Sequence, residues 1–169
     1  NLATGKITEI THSLAAIDPR PSSDGSRIGY ATVDGSFRIA HVSEAKEVFA
    51  HTVAGFTFGQ AEFVASEEMS RHHGFWWSAD SQSLFVQRFD QTPVTKIFIS
   101  DSANPESAPR EVRYPFVGTA NVITSLLLLN LEDLSRKEIS WNPAHEYLCD
   151  VNPGDGKVPP LLLTMSRNQ

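Results

Sequence analysis

Apolar residues in this chain fall in short runs, separated by clusters of Asp, Gly, Ser, Asn and Pro. That punctuation is the mark of β-strands joined by turns. Three stretches repeat one pattern. The first is Ser22-Ser23-Asp24-Gly25-Ser26, followed by Arg27-Ile28-Gly29-Tyr30 and, after Asp34-Gly35, by Phe37 to Val42. The second is Ser78-Ala79-Asp80-Ser81-Gln82, followed by Ser83 to Val86 and, after Gln91-Thr92-Pro93, by Lys96 to Ile99. The third is Asn152-Pro153-Gly154-Asp155-Gly156-Lys157, followed by Leu161 to Met165. In each, an Asp side chain can hold its own backbone while a neighbouring residue takes the turn, and an apolar strand follows. Asp34-Gly35 between two apolar runs is the clearest hairpin signal. The aspartates recur after 56 and then 75 residues, which suits propeller blades with insertions. The same repeat would also fit an ordinary antiparallel sandwich.

One segment breaks the strand pattern. From Ala61 to His72 the residues are mostly good helix formers, and Gly59 and Gly74 bracket them. The pattern predicts a short helix near residues 60–72, with Ala61, Val64, Ala65 and Met69 as its buried stripe. The expected fold is therefore all-β: a partial β-propeller of about three four-stranded blades, with one short inserted helix. So few blades cannot close a ring, so exposed strand edges, partial disorder or association between copies are expected.

Composition narrows the partners. Of 169 residues, 40% are hydrophobic and 20% charged, which suits a soluble globular domain. The formal net charge of −6 and the lack of a basic block argue against nucleic acid. No apolar run approaches the roughly 20 residues of a membrane-spanning helix. The first residue is Asn, so the natural start can lie upstream. A single cysteine, Cys149, has no partner for an internal disulfide, and a cytoplasmic location is the expectation, with export as the alternative.

Most candidate chemistry in the chain is ordinary. Gly55-Phe56-Thr57-Phe58-Gly59 imitates a nucleophile elbow, but it has Thr where Ser is needed and reads as a strand or loop. The six histidines include the doublet His72-His73 without metal-ligand spacing, so neither a metal nor a cofactor is expected. His72 and His73 are candidates to line a site beside the glutamates. Glu62 reads as a surface or structural carboxylate. Glu67 and Arg71 stand at i, i+4, the spacing of a common surface ion pair. Taken alone, Glu67 and Glu68 are a solvated helix face.

Their surroundings change that reading. The segment Ala61-Glu62-Phe63-Val64-Ala65-Ser66-Glu67-Glu68-Met69-Ser70-Arg71-His72-His73-Gly74-Phe75-Trp76-Trp77-Ser78 resembles the dipeptidyl peptidase IV family, in which a Glu-Glu pair on a short helix precedes an aromatic-Trp-Trp strand. The likeness continues through Arg113-Tyr114-Pro115-Phe116-Val117-Gly118-Thr119-Ala120-Asn121, His145-Glu146-Tyr147-Leu148 and Ser166-Arg167-Asn168-Gln169, and Ile17-Asp18-Pro19-Arg20-Pro21 fits an earlier blade. The chain departs from the family pattern at Val122, at Val151-Asn152-Pro153 and at Pro159-Pro160.

The resemblance implies that residues 1–169 are part of an N-terminal propeller. It further implies an α/β-hydrolase domain of the same full-length protein, carrying a Ser-Asp-His triad beyond Gln169. The implied activity is that of a serine exopeptidase that releases N-terminal dipeptides, with Pro or Ala second. Its substrate would be a peptide with a free N-terminus, and Glu67 and Glu68 would receive the α-ammonium. The alternatives are a propeller that serves as a protein-interaction module and a pseudoenzyme without peptidase activity.

Overall fold

The structure is a computed structural model that describes residues 2–10 and 15–168. Its first sheet is an antiparallel meander of β1 (Ala16–Pro21), β2 (Arg27–Thr32), β3 (Phe37–His41) and β4 (Lys46–His51), paired in chain order. The second is built from β5 (Phe56–Phe58), β6 (Phe75–Trp77), β7 (Ser83–Asp90), β10 (Ile123–Asn130) and β11 (Arg136–Ile139). Its central strand is β7. Between β7 and β10 the chain forms a separate hairpin, β8 (Lys96–Ile99) with β9 (Arg110–Arg113). The third sheet is the pair β12 (Tyr147–Asn152) and β13 (Leu161–Met165), the latter starting directly after Pro159-Pro160. Among the described residues no sheet closes on itself, and β4 and β11 end their sheets with a free edge.

The three aspartate turns occupy equivalent places, between β1 and β2, between β6 and β7, and between β12 and β13. In the first, Ser22 Oγ donates to Asp24 at 2.6 Å, Asp24 accepts the Ser26 N–H at 3.0 Å, and the Arg27 N–H returns to Ser22 Oγ at 3.0 Å. Fifty-six residues later, Ser78, Asp80, Gln82 and Ser83 repeat those bonds at 2.6, 2.9 and 3.0 Å. Both turns need a positive φ just after the aspartate: Gly25 sits at 70° and Ser81 at 59°. The two turns also touch, with the Asp24 N–H on Ser81 Oγ at 3.1 Å. At the third, Asp155 accepts from the Lys157 and Val158 N–H groups. The longer second interval is accounted for by the β8–β9 hairpin.

Trp76 and Trp77 alternate across β6 and so face opposite sides of the second sheet. Trp77 joins Phe37, Ile39, Phe58, Phe75, Leu84, Val86, Leu127 and Leu129 in the core between the first and second sheets. Trp76 packs with Phe85, Leu126, Leu148 and Val151 toward the third. Both tryptophans are blade core.

The helix is shorter than its sequence suggests. It spans Phe63–Glu68, and Ser70 then turns the chain back at φ 54°. Ala65 is its fully buried residue, while Ala61, Val64 and Met69 are only half-buried. The reason is tertiary: the chain must return to β7 within a few residues of Glu68.

Candidate functional site

Strands β5 and β6 lie end to end along β7. Phe58 pairs with Arg88, and Phe75 pairs with Val86. The rung between them, at Gln87, is shared by two residues. Gln87 O accepts the Gly59 N–H at 2.9 Å, and the Gln87 N–H donates to Gly74 O at 2.8 Å. A single strand residue would normally supply both groups. The chain therefore leaves a strand at Gly59, travels out through the helix, and rejoins the same rung at Gly74. Gln60 bridges His73 across the neck of this excursion. Gly74 packs so closely on the Gln60 backbone that a Cβ there would overlap it. The glycines that bracket the segment in sequence are thus the two sides of one rung.

Glu62 caps the helix from inside. Its carboxylate accepts the Val64 and Ala65 N–H groups at 2.7 Å each, and the residue is 5% exposed. Burial pushes its pKa up, opposed by those two backbone bonds and by the charge of Arg71. Glu is not a favoured N-cap, which is why sequence rules pass over it. At the other end, Ala65 O accepts both the Met69 N–H at 3.2 Å and the Arg71 N–H at 3.0 Å.

Arg71 does not pair with Glu67. Its guanidinium turns inward and is 4% exposed. It donates to His73 O and Gln87 Oε1 at 2.7 Å each, to Leu148 O at 2.8 Å and to Cys149 O at 3.0 Å. It also lies over the Trp76 ring, 5.6 Å from the centroid. Burial lowers its pKa, and the charge of Glu62 opposes that shift. Sequence reasoning read Arg71 as an exposed helix partner. The left-handed turn at Ser70, which no local pattern announces, sends it the other way.

Glu67 and Glu68 end the helix, both exposed, and neither carboxylate has a hydrogen-bond or ion-pair partner among the described residues. His72 is exposed. His73 is half-buried, with its ring edge-on to Trp76 at 5.2 Å. Burial lowers its pKa, assisted by the charges of Arg20 and Arg71. Thr57 lies within β5 and lacks the strand-to-helix turn of a nucleophile elbow. Among the described residues no cluster of His, Cys, Asp and Glu is arranged to hold a metal ion.

Elsewhere, an open cleft of about 420 Å³ is lined by residues including Asn121, Ser125, Glu138, Trp141, His145 and Glu146, and neither glutamate of the pair borders it. The remaining motif residues meet beside it. Asn121 donates to Glu146 and to Tyr147 Oη at 2.9 Å each, and Arg167 donates to Thr119 O at 2.6 Å. This network ties the connection after β9 to the third sheet. Gln169, the last residue of that signature, lies outside the described residues.

Comparison with known proteins agrees with this fold. The crystal structure of Porphyromonas gingivalis dipeptidyl peptidase 4 superposes with a TM-score of 0.83 at 22% identity, covering 94% of this chain and 23% of that one. The all-β fold is that of a dipeptidyl peptidase 4 propeller portion. Venom dipeptidyl peptidase 4 of Apis mellifera is 35% identical over 92 residues, which are 50% of this chain and 12% of that protein. The chain thus spans a small part of the length of either relative. Residues 1–169 match the family described as the dipeptidyl peptidase IV (DPP IV) N-terminal region, and the chain belongs to that family.

Proposed function

We propose that this chain is the substrate-gating, amine-anchoring part of the propeller of a dipeptidyl peptidase IV-like serine exopeptidase. The full-length protein would carry the α/β-hydrolase domain and its triad, and would release N-terminal dipeptides with Pro or Ala second. One observation carries the reading: two adjacent carboxylates stand exposed, and unpartnered among the described residues, at the end of a helix whose base is locked into a strand rung.

An α-ammonium offers three donors, and two carboxylates offer only acceptors, so charge-assisted bonds can converge on one small cation. An extended residue spans about 3.3–3.6 Å, so an anchor roughly 7 Å from the scissile bond counts off two residues. Such an anchor turns a general peptidase into an exopeptidase, because a blocked N-terminus leaves the carboxylates without their cation.

The test is Glu67→Gln and Glu68→Gln in the full-length protein. Each should reduce kcat/KM for free-amine dipeptide substrates by about 30-fold to several-thousand-fold, the cost of removing one partner of a charge pair that bound substrate would desolvate. Unchanged turnover would remove the anchor and favour a charged surface. A folded protein with no turnover from the unsubstituted chain would favour the interaction-module or pseudoenzyme alternatives.

A further inference from the structure

We infer that Arg71 is the positioning residue of the amine anchor: it holds the 60–73 excursion against two blades at once and so fixes where Glu67 and Glu68 stand. The inference rests on the amine-anchor reading of those glutamates. Three residues separate Glu67 from Arg71, and two separate Glu68 from it. Within that span the Arg71 N–H returns to Ala65 O, so the arginine is bonded directly to the helix that carries the pair.

Its side chain then reaches in two directions. Nη1 bonds His73 O and Gln87 Oε1, on the neck of the excursion and on β7 of the second sheet. Nε and Nη2 bond the carbonyls of Cys149 and Leu148, on β12 of the third sheet. The rung at Gln87 is the place where the excursion leaves its strand, so the side chain of the same residue that closes the backbone neck also receives Arg71. Only a planar fork with donors on several nitrogens can bridge these acceptors together; an ammonium concentrates its donors on one atom. Buried Glu62, at the opposite end of the helix, adds an opposing charge that favours the cation in this place.

The consequence is geometric. Without Arg71, the backbone neck at Gly59 and Gly74 still anchors the excursion to the second sheet, but nothing polar in the excursion's second half ties it to the third. The glutamates would then sample positions, and a misplacement of about 1 Å in a positioning element can cost on the order of 100-fold. The defect belongs to substrate capture, because Arg71 touches no reacting atom.

The experiment compares Arg71→Lys, Gln87→Leu and the double variant with Glu67→Gln in the full-length protein, using dipeptide substrates with a free amine and their desamino analogues. Arg71→Lys should raise KM for the free-amine substrate about 10- to 100-fold, leave kcat within about threefold, and narrow the preference for the amine over its absence. Gln87→Leu removes an acceptor of the same fork and should give a smaller shift of the same kind. The double variant should fall short of the sum, as expected for partners in one network. If Glu67→Gln raises KM and Arg71→Lys does not, the anchor stands and the positioning role is overturned. A loss in kcat at unchanged KM would mean that Arg71 only maintains folding, which also overturns it. If Glu67→Gln itself leaves KM unchanged, both readings fall together.

Discussion

The first blade passes through its four strands without interruption, while the second has the same plan and twice leaves it. Their aspartate turns make the same bonds in the same order, from Ser22 to Arg27 and from Ser78 to Ser83. What differs is that the second blade admits the excursion of residues 60–73 and the β8–β9 hairpin. The excursion costs the sheet no ladder bond, because Gly59 supplies the N–H and Gly74 the C=O that one strand residue would have given. A propeller blade can therefore acquire an excursion while its framework remains intact. The unpartnered carboxylate pair is on the addition, and the repeated turns belong to the framework.

The sharpest way to break this comparison is to make the second blade resemble the first. Deleting residues 60–74 joins Gly59 to Phe75 and leaves Phe58, Gly59 and Phe75 opposite Arg88, Gln87 and Val86 in unbroken register. The full-length protein should still fold by circular dichroism, while kcat/KM for free-amine dipeptides drops by at least the roughly 30-fold expected of the lost anchor. A protein that fails to fold would show that the excursion is part of the framework.

A smaller effect concerns the framework shared by the two blades. Trp77→Ala empties the core between them and should cost about 3–5 kcal/mol. Thermal unfolding of the full-length protein would read this as a lower first transition. An unchanged transition would mean that the two sheets are not held together by that core.

The smallest concerns a turn of the first blade. Bonds from Thr32 and Ser36 hold the Asp34 carboxyl at about 2, below its ordinary 3.8. A carboxyl lowered on folding contributes stability above its unfolded value and loses it as pH falls. The contribution should thus fade from about pH 4 to about pH 2. Asp34→Asn should flatten that acid dependence by under about 1 kcal/mol, because the group is exposed and screened. An acid profile identical to that of the unsubstituted protein would place the acid sensitivity elsewhere.

Much of the fold was legible because turn chemistry is local. Asp24, Asp34, Asp80 and Asp155 bond backbone groups only two or three residues away, so their spacing marks where hairpins fall without reference to the rest of the chain. Strand alternation is local in the same way, and it puts the neighbours Trp76 and Trp77 on opposite faces of one sheet. The placement of Glu67 and Glu68 on a short helix ahead of an aromatic strand was legible from the residues around them. Arg71 and Glu62 were not. Glu62 reads as a surface or structural carboxylate and is buried as the helix cap, a position that rarely takes Glu. Arg71 looks like an ordinary surface charge and is buried because its partners lie far along the chain, at Gln87, Leu148 and Cys149. The helix ends were misjudged for the same reason. Propensity extended it to His72, whereas the shared rung at Gln87 required the chain to return sooner.

By itself the sequence determined the strand-and-turn alternation, the recurrence of the blade unit and the place of the Glu67-Glu68 pair just ahead of an aromatic strand. Those are properties of short spans, set by which residues can turn, cap or alternate. Only the tertiary structure decided that Gly59 and Gly74 complete one rung and that Arg71 faces inward and so does not pair with Glu67. Each of these depends on groups distant in the chain meeting in a low-dielectric interior, where an unsatisfied donor or charge is costly. That cost selects one arrangement among the several that the local sequence allows.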